Sequence, residues 1–211
     1  RMDESQSCDV QVTWRRSRST PQQQMSSIEL CLTERIAMKD SSTKSRWTTR
    51  PETNADIDAI RHVVLSAFDT AEEADLVDAL RADPDAWIDG LSYVATDDAG
   101  AVVGQALLTR CHIGTTPALC LAPCAVLPEH QRTGAGSAAI RAVLSAAAAQ
   151  GEHFVTVMGH PDYYPRFGFT RASSHGITLN VDVPDDALMA MSLDDQPLPS
   201  GLIHYAKPFG I

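Results

Sequence analysis

No apolar run in this 211-residue chain approaches the ~20 residues that a membrane-spanning helix needs, so no membrane partner is expected. No cationic stretch leading into an apolar core and a small-residue cleavage site opens it, and the reducing cytoplasm is the expected location. Its cysteines, Cys8, Cys31, Cys111, Cys120 and Cys124, are odd in number and form no Cys-x-x-Cys pair. That pattern argues against a disulfide scaffold and a zinc ribbon, and no metal site is expected. Positive charge is also short. Lys and Arg number 17 against 27 Asp and Glu, which leaves −10 and would repel a nucleic-acid backbone. What is present is ordinary: 44% apolar and 21% charged residues are enough to bury a core and exclude a wholly disordered or fibrous chain.

Composition shifts near Arg46. Ser, Thr and Gln fill 18 of the first 45 positions, and the only apolar cluster there is Ile28 to Leu32. Residues 1–45 read as a disordered or loosely attached extension, with Met38 a candidate start of the functional polypeptide. A docking segment is the rival reading. The tail holds 7 basic and 6 acidic residues, so the negative charge belongs to 46–211.

From Arg46 the periodicity becomes regular, and 46–211 reads as one domain, expected as a monomer or homodimer. Trp47 to Arg50 is extended and ends at Pro51. Asn54-Ala55-Asp56 offers a helix start before Ile57, Ile60, Val63, Val64 and Phe68. Ala74, Leu76, Val77 and Leu80 mark a second helix, with Glu72 and Glu73 in its first turn. Leu91 to Thr96 and Ala101 to Cys111 read as a hairpin, and Ala118 to Leu127 as another strand. Gly136 to Gln150 is helical and Phe154 to Met158 is a buried strand. Pro161 to Phe167 fits one or two helical turns. Further strands are expected near Ile177–Val183, Leu188–Leu193 and Leu202–Ala206. The order predicts an α+β, or mixed α/β, domain with one central, mostly antiparallel sheet flanked by helices.

The most informative stretch runs from Leu121 to Ser137. An apolar strand enters a loop with Gly134 and Gly136, and an Ala-rich helix follows at once. The glycines allow close backbone approach, and the first N–H groups of the helix lack intrahelical partners. Together they make an anion site suited to a diphosphate, to which Arg132 adds charge. Neither a Walker A loop nor Gly-x-Gly-x-x-Gly is present. A strand-to-helix turn that needs two glycines for geometry alone gives the same pattern.

Gln131-Arg132-Thr133-Gly134-Ala135-Gly136 resembles the Gln/Arg-x-x-Gly-x-Gly/Ala signature of the GNAT superfamily of acyl-CoA-dependent N-acyltransferases. The strand ending at Ala125-Val126 and the run Tyr164-Pro-Arg-Phe-Gly-Phe169 match the family's other landmarks. Gly159-His-Pro-Asp-Tyr-Tyr and Gly201-Leu-Ile-His-Tyr205 resemble a bacterial branch of predicted N-acetyltransferases. The resemblance covers about Arg46 to Phe209. It implies a splayed strand pair forming a CoA groove, with acetyl-CoA as cosubstrate. It also implies the diphosphate on Gln131, Arg132, Thr133, Gly134, Ala135, Gly136 and Ser137, and the pantetheine arm along Cys124, Ala125 and Val126. A backbone N–H near Val126 would polarise the thioester carbonyl. Tyr164 would give a proton to the departing thiolate, while Tyr163, next to it, would point elsewhere. The implied reaction is direct attack of an amine on the thioester with both substrates bound.

The base is open among Glu129, His160, Asp162 and His112. The strand Leu119–Val126 carries no acidic residue. Cys120 and Cys124 read as apolar filling rather than nucleophiles. Asp69, Glu72, Glu73, Asp75 and Asp78 form either an attraction for a cationic amine or a solvated helix face. A non-catalytic acyl-CoA-binding sensor module is the alternative of another class.

Overall fold

The computed structural model describes residues 47–211. The expected extension over 1–45, with Met38, lies outside the described residues. Strand β1 (Thr48–Pro51) leads into helices α1 (Ile57–Ala67) and α2 (Glu72–Ala82). Strands β2 (Ser92–Thr96), β3 (Val102–Ile113) and β4 (Thr116–Val126) precede α3 (Ala135–Ala149) and β5 (Phe154–Met158). Four short strands complete the domain: β6 (Thr170–Arg171), β7 (Ile177–Thr178), β8 (Leu188–Ser192) and β9 (Gly201–His204). The sheet order is β1-β2-β3-β4-β5-β8-β6, with β9 beside the end of β3 and β7 beside β9. Only β4–β5 and β7–β9 pair in parallel, so the sheet is mixed α/β and mostly antiparallel.

Local chemistry explains the helices. Asp56, just before α1, accepts from the N–H and hydroxyl of Thr53 at 2.8 Å each, and from both arms of the Arg50 guanidinium at 2.7 and 2.8 Å. The turn that starts α1 is thus tied to β1. Ile60, Val63, Val64 and Ala67 then recur on one buried face. With Ala74, Val77 and Leu80 of α2 they cover one side of the sheet, over Val94, Leu107, Ile113 and Cys120. On the other side, Ile140, Val143, Leu144 and Ala147 of α3 pack on Leu108, Leu119, Leu121, Val155 and Val157. Ile140 is fully buried, and truncating such a side chain to Ala costs about 2–5 kcal/mol.

Several expected elements are shorter. Pro161 to Phe167 forms a turn followed by a single 3₁₀ turn at Tyr164–Phe167. The strand expected over 177–183 ends after Thr178, where Asn180, Asp182 and Pro184 bring turn-forming side chains. Strands β3 and β4 are longer than the periodicity suggests and close a second hairpin across Gly114-Thr115.

One irregularity positions the site. Ala106 faces Cys124 and Leu108 faces Leu121, so Ala122 and Pro123 together oppose Leu107. Pro123 has no N–H for the ladder, and the bulge bends β4. Strand β4 pairs with β5 only through Leu119–Val155 and Cys120–Thr156. Beyond those pairs the two strands part, and β5 pairs along its whole length with β8 on its other side.

Candidate functional site

The parted strands open a cleft of about 360 Å³, lined by Cys124, Ala125 and Val126 of β4, the loop residues His130, Gln131, Arg132 and Gly134, Gly136 and Ser137 of α3, and Tyr163 and Arg166. No carboxylate lines it, although acids outnumber bases in the chain. The N–H of Leu127 donates to Val103 O at 2.9 Å. Strand alternation therefore turns the N–H and carbonyl of Val126 away from β3, toward the cleft edge. The Gln131 side chain donates to that carbonyl at 3.3 Å, folding the loop onto the end of β4. From the residue just before β1, the Trp47 indole N–H donates to Thr133 O at 3.0 Å, and its ring meets His130 edge-on at 5.4 Å.

Gly136 explains why the loop needs a glycine there. A Cβ at that position would stand 3.0 Å from Val126 Cγ2 and 3.6 Å from the Tyr163 hydroxyl, filling the cradle in front of the helix. The intrahelical ladder of α3 begins with Ala138 N–H donating to Gly134 O at 2.9 Å. The preceding amides of Ala135, Gly136 and Ser137 have no partner within the helix. An oxyanion is the natural occupant of such a position.

The two adjacent tyrosines meet edge to face with ring centres 5.2 Å apart, and Tyr163, expected to point elsewhere, is the one that reaches the cleft. Tyr163 lines the cleft, and its hydroxyl lies 3.1 Å from Ser137 Oγ. Tyr164 is fully buried among Tyr163, Phe167 and Phe169, and its hydroxyl is buried with no hydrogen-bond partner. Its ring fits only because residue 159 is glycine, since a Cβ there would lie 2.3 Å from Tyr164 Cε2. Burial pushes the Tyr164 phenol well above its ordinary value, so it keeps its proton at neutral pH. Burial likewise pushes the Cys124 thiol up to about 12, which leaves it a poor nucleophile.

Glu129 and His160 are both exposed and neither lines the cleft. His160 Nδ1 accepts from the Asp162 N–H at 3.3 Å. His112 is exposed at the far end of β3, where it pairs with His204 of β9. The acids of α1–α2 are largely engaged: Arg61 holds Asp75 and Asp78, and Arg81 reaches Asp78 at 3.0 Å. Glu73 is almost completely buried, with one carboxylate oxygen taking the Thr70 hydroxyl at 3.2 Å. His130, Tyr163 and Arg166 line the cleft without having been singled out as binding residues. For Tyr163 and Arg166 the available signal was their closeness to Tyr164 in one short turn. Among the described residues, no three His, Cys, Asp or Glu side chains group to hold a metal ion, and no helix is long and apolar enough to cross a membrane.

Residues 89–171 match the family model of the acetyltransferase (GNAT) domain. The chain is 36% identical over 163 residues to a protein of Escherichia coli K12 named Uncharacterized N-acetyltransferase YjhQ, an alignment that spans 73% of this chain and 89% of that one. The chain belongs to the GNAT acetyltransferases. Its fold agrees: the structure of the GNAT family N-acetyltransferase YhbS from Escherichia coli in complex with CoA superposes with a TM-score of 0.73 at 26% identity, over 82% of this chain and 97% of that one. A GNAT family acetyltransferase from Brucella melitensis in complex with acetyl-CoA gives 0.64 at 26% identity, over 79% and 99% of the two chains.

Proposed function

We propose that this GNAT chain, through its domain 46–211, transfers an acetyl group from acetyl-CoA to a primary amine of a small molecule or a protein, by direct attack within a ternary complex. One observation carries the reading: an acid-free cleft opens where β4 leaves β5, at the amide-bearing end of α3. The CoA and acetyl-CoA held by the YhbS and Brucella melitensis structures support it.

Acetyl-CoA supplies an activated acyl thioester. The amides of Ala135, Gly136 and Ser137, with Gln131, Arg132, Thr133 and Gly134, hold its diphosphate. The free edge of Cys124, Ala125 and Val126 takes the pantetheine arm as an added strand would be taken, and the Val126 N–H polarises the thioester carbonyl. In this reading Tyr164 is the proton donor to the leaving thiolate: its ring is buried against Tyr163, which lines the cleft, its phenol is protonated and its hydroxyl has no partner in the protein. An amine is mostly protonated near pH 7 and must shed a proton before attack. Glu129 and His160, both exposed, accept it through water. Holding both substrates in line supplies a large share of the rate enhancement.

Thiol release from acetyl-CoA, followed with a thiol reagent across small amines, polyamines and peptide N-termini, tests the reading. Turnover with at least one acceptor, and its loss in Tyr164→Phe, is the expected result. Tight acetyl-CoA binding with no turnover on any amine would identify a sensor module instead.

A further inference from the structure

The loop before α3 bends where side chains ordinarily do not. Arg132 has φ 57°, in the left-handed region, and Gly134 follows at φ 96°. A residue with a side chain keeps such a conformation only where its surroundings impose it. Two hydrogen bonds do so here. The Thr133 hydroxyl donates to His130 O within the turn. The Trp47 indole N–H, 86 residues away in the chain, donates to Thr133 O at 3.0 Å. The same indole meets the His130 ring edge-on, so it braces the loop at two points. Trp47 is only 6% exposed, and an indole N–H buried to that degree takes a protein acceptor.

The position of this donor decides how one peptide unit stands. His130, Gln131, Arg132 and Gly134 line the cleft and Trp47 does not. The indole therefore lies behind the loop and draws the Thr133 carbonyl out of the cleft. The Thr133–Gly134 peptide is trans, and in a trans unit the N–H points opposite to the C=O. The Gly134 N–H is thereby turned to the cleft side. Among the described residues no backbone carbonyl takes it. It adds to the amides of Ala135, Gly136 and Ser137, which have no partner within the helix. Were the peptide turned over, a carbonyl oxygen would stand in place of that N–H, and it would repel an anion. Trp47 thus selects which end of one backbone dipole faces a ligand that the indole itself does not touch.

We propose that Trp47 is a positioning residue for the cofactor: its indole N–H locks the Thr133–Gly134 peptide with the amide aimed at the diphosphate of CoA. The proposal rests on the acetyl-CoA reading above. Trp47→Phe keeps a ring beside His130 and removes the donor. Thr133 is exposed, so water replaces the indole at its carbonyl; the melting temperature should move by only a few degrees, while the peptide becomes free to turn. Isothermal titration of the full chain should show W47F binding CoA about 3- to 10-fold more weakly, the effect of one hydrogen bond. S-acetylpantetheine, which carries the thioester arm and no diphosphate, should bind W47F as it binds wild type. Equal weakening of both ligands, or wild-type CoA affinity in W47F, overturns the positioning role and leaves the cofactor reading intact. A second measurement spares residue 47. The chain has three tryptophans, Trp14, Trp47 and Trp87, so Trp14→Phe with Trp87→Phe leaves one indole N–H signal in nitrogen–proton correlation spectra. That signal should shift on addition of CoA and stay in place with S-acetylpantetheine; a signal indifferent to bound CoA also overturns the role. A wild-type chain that does not bind CoA overturns both readings.

Discussion

On the α1–α2 side, Arg50 meets Asp56 at 2.7 Å, Arg61 bridges Asp75 and Asp78, and Arg81 holds Glu52 at 3.0 Å, whereas around α3 and the turn after β5 the arginines meet rings and an open cleft. The first arrangement satisfies charge inside the protein. Glu52 also accepts from the Ser92 hydroxyl, and Ser92 in turn takes the buried Gln105 amide at 3.1 Å, so the network ties α2 and the segment after β1 to the sheet. The second arrangement leaves charge and hydrogen-bonding capacity unspent, which is what a ligand requires. The same residue type is paired with carboxylates on one side and left without them on the other, and the difference lies in which partners the fold brings near.

This contrast can be broken from either side. The largest effect is expected from Gly136→Val, whose side chain fills the cradle before α3. Binding of CoA should weaken by about 100-fold or more, while the melting temperature moves by only a few degrees, as titration and thermal melts would read. Next is Tyr164→Phe, which should lower kcat by about 100-fold with little change in KM for acetyl-CoA. It also removes an unpartnered buried hydroxyl, so stability should hold or rise by about 1 kcal/mol. A fall in both activity and stability would make that hydroxyl structural and sink the proton-donor role.

On the other side the pattern should invert. Glu52→Ala leaves Arg81 and Ser92 without their shared acceptor and should cost about 2–3 kcal/mol in urea unfolding, with unchanged CoA affinity in the folded protein. The smallest effect concerns acid. The Arg50 guanidinium holds the Asp56 carboxyl well below the usual carboxylate range. Because the folded value lies below the unfolded one, the pair's stabilisation is complete above about pH 4 and drains away as pH falls further. The melting-temperature gap between wild type and Asp56→Asn should therefore be constant from pH 7 to about 5 and close below about 4. A constant gap down to pH 3 would show that Asp56 acts only as a neutral hydrogen-bond acceptor.

The sheet-and-helix order and the loop from Gln131 to Ser137 were legible because each depends on near neighbours. A strand, a paired-glycine turn and an Ala-rich helix follow one another in the chain, and their geometry follows from backbone chemistry. The arginine partners were not legible, since Arg81 and Glu52 lie 29 residues apart and Arg110 and Glu152 42 apart. The same holds for Glu73, which reads as an exposed first-turn acid and is almost completely buried. Tyr163 and Tyr164 show the limit most clearly. Adjacency suggested that Tyr163 points away from the site, whereas it lines the cleft beside Ser137, and the packing of Gly159, Phe167 and Phe169 encloses the Tyr164 ring against it and leaves the Tyr164 hydroxyl without a partner.

The amino-acid order alone therefore determined the family, the elements and the paired-glycine turn before α3, since these are written in local pattern and backbone freedom. Tertiary structure decided where β4 abandons β5, which arginines meet a carboxylate and how Tyr163 comes to stand against the first turn of α3. Those are outcomes of contacts between distant segments, and electrostatic and steric partnership depends on distance in space rather than along the chain.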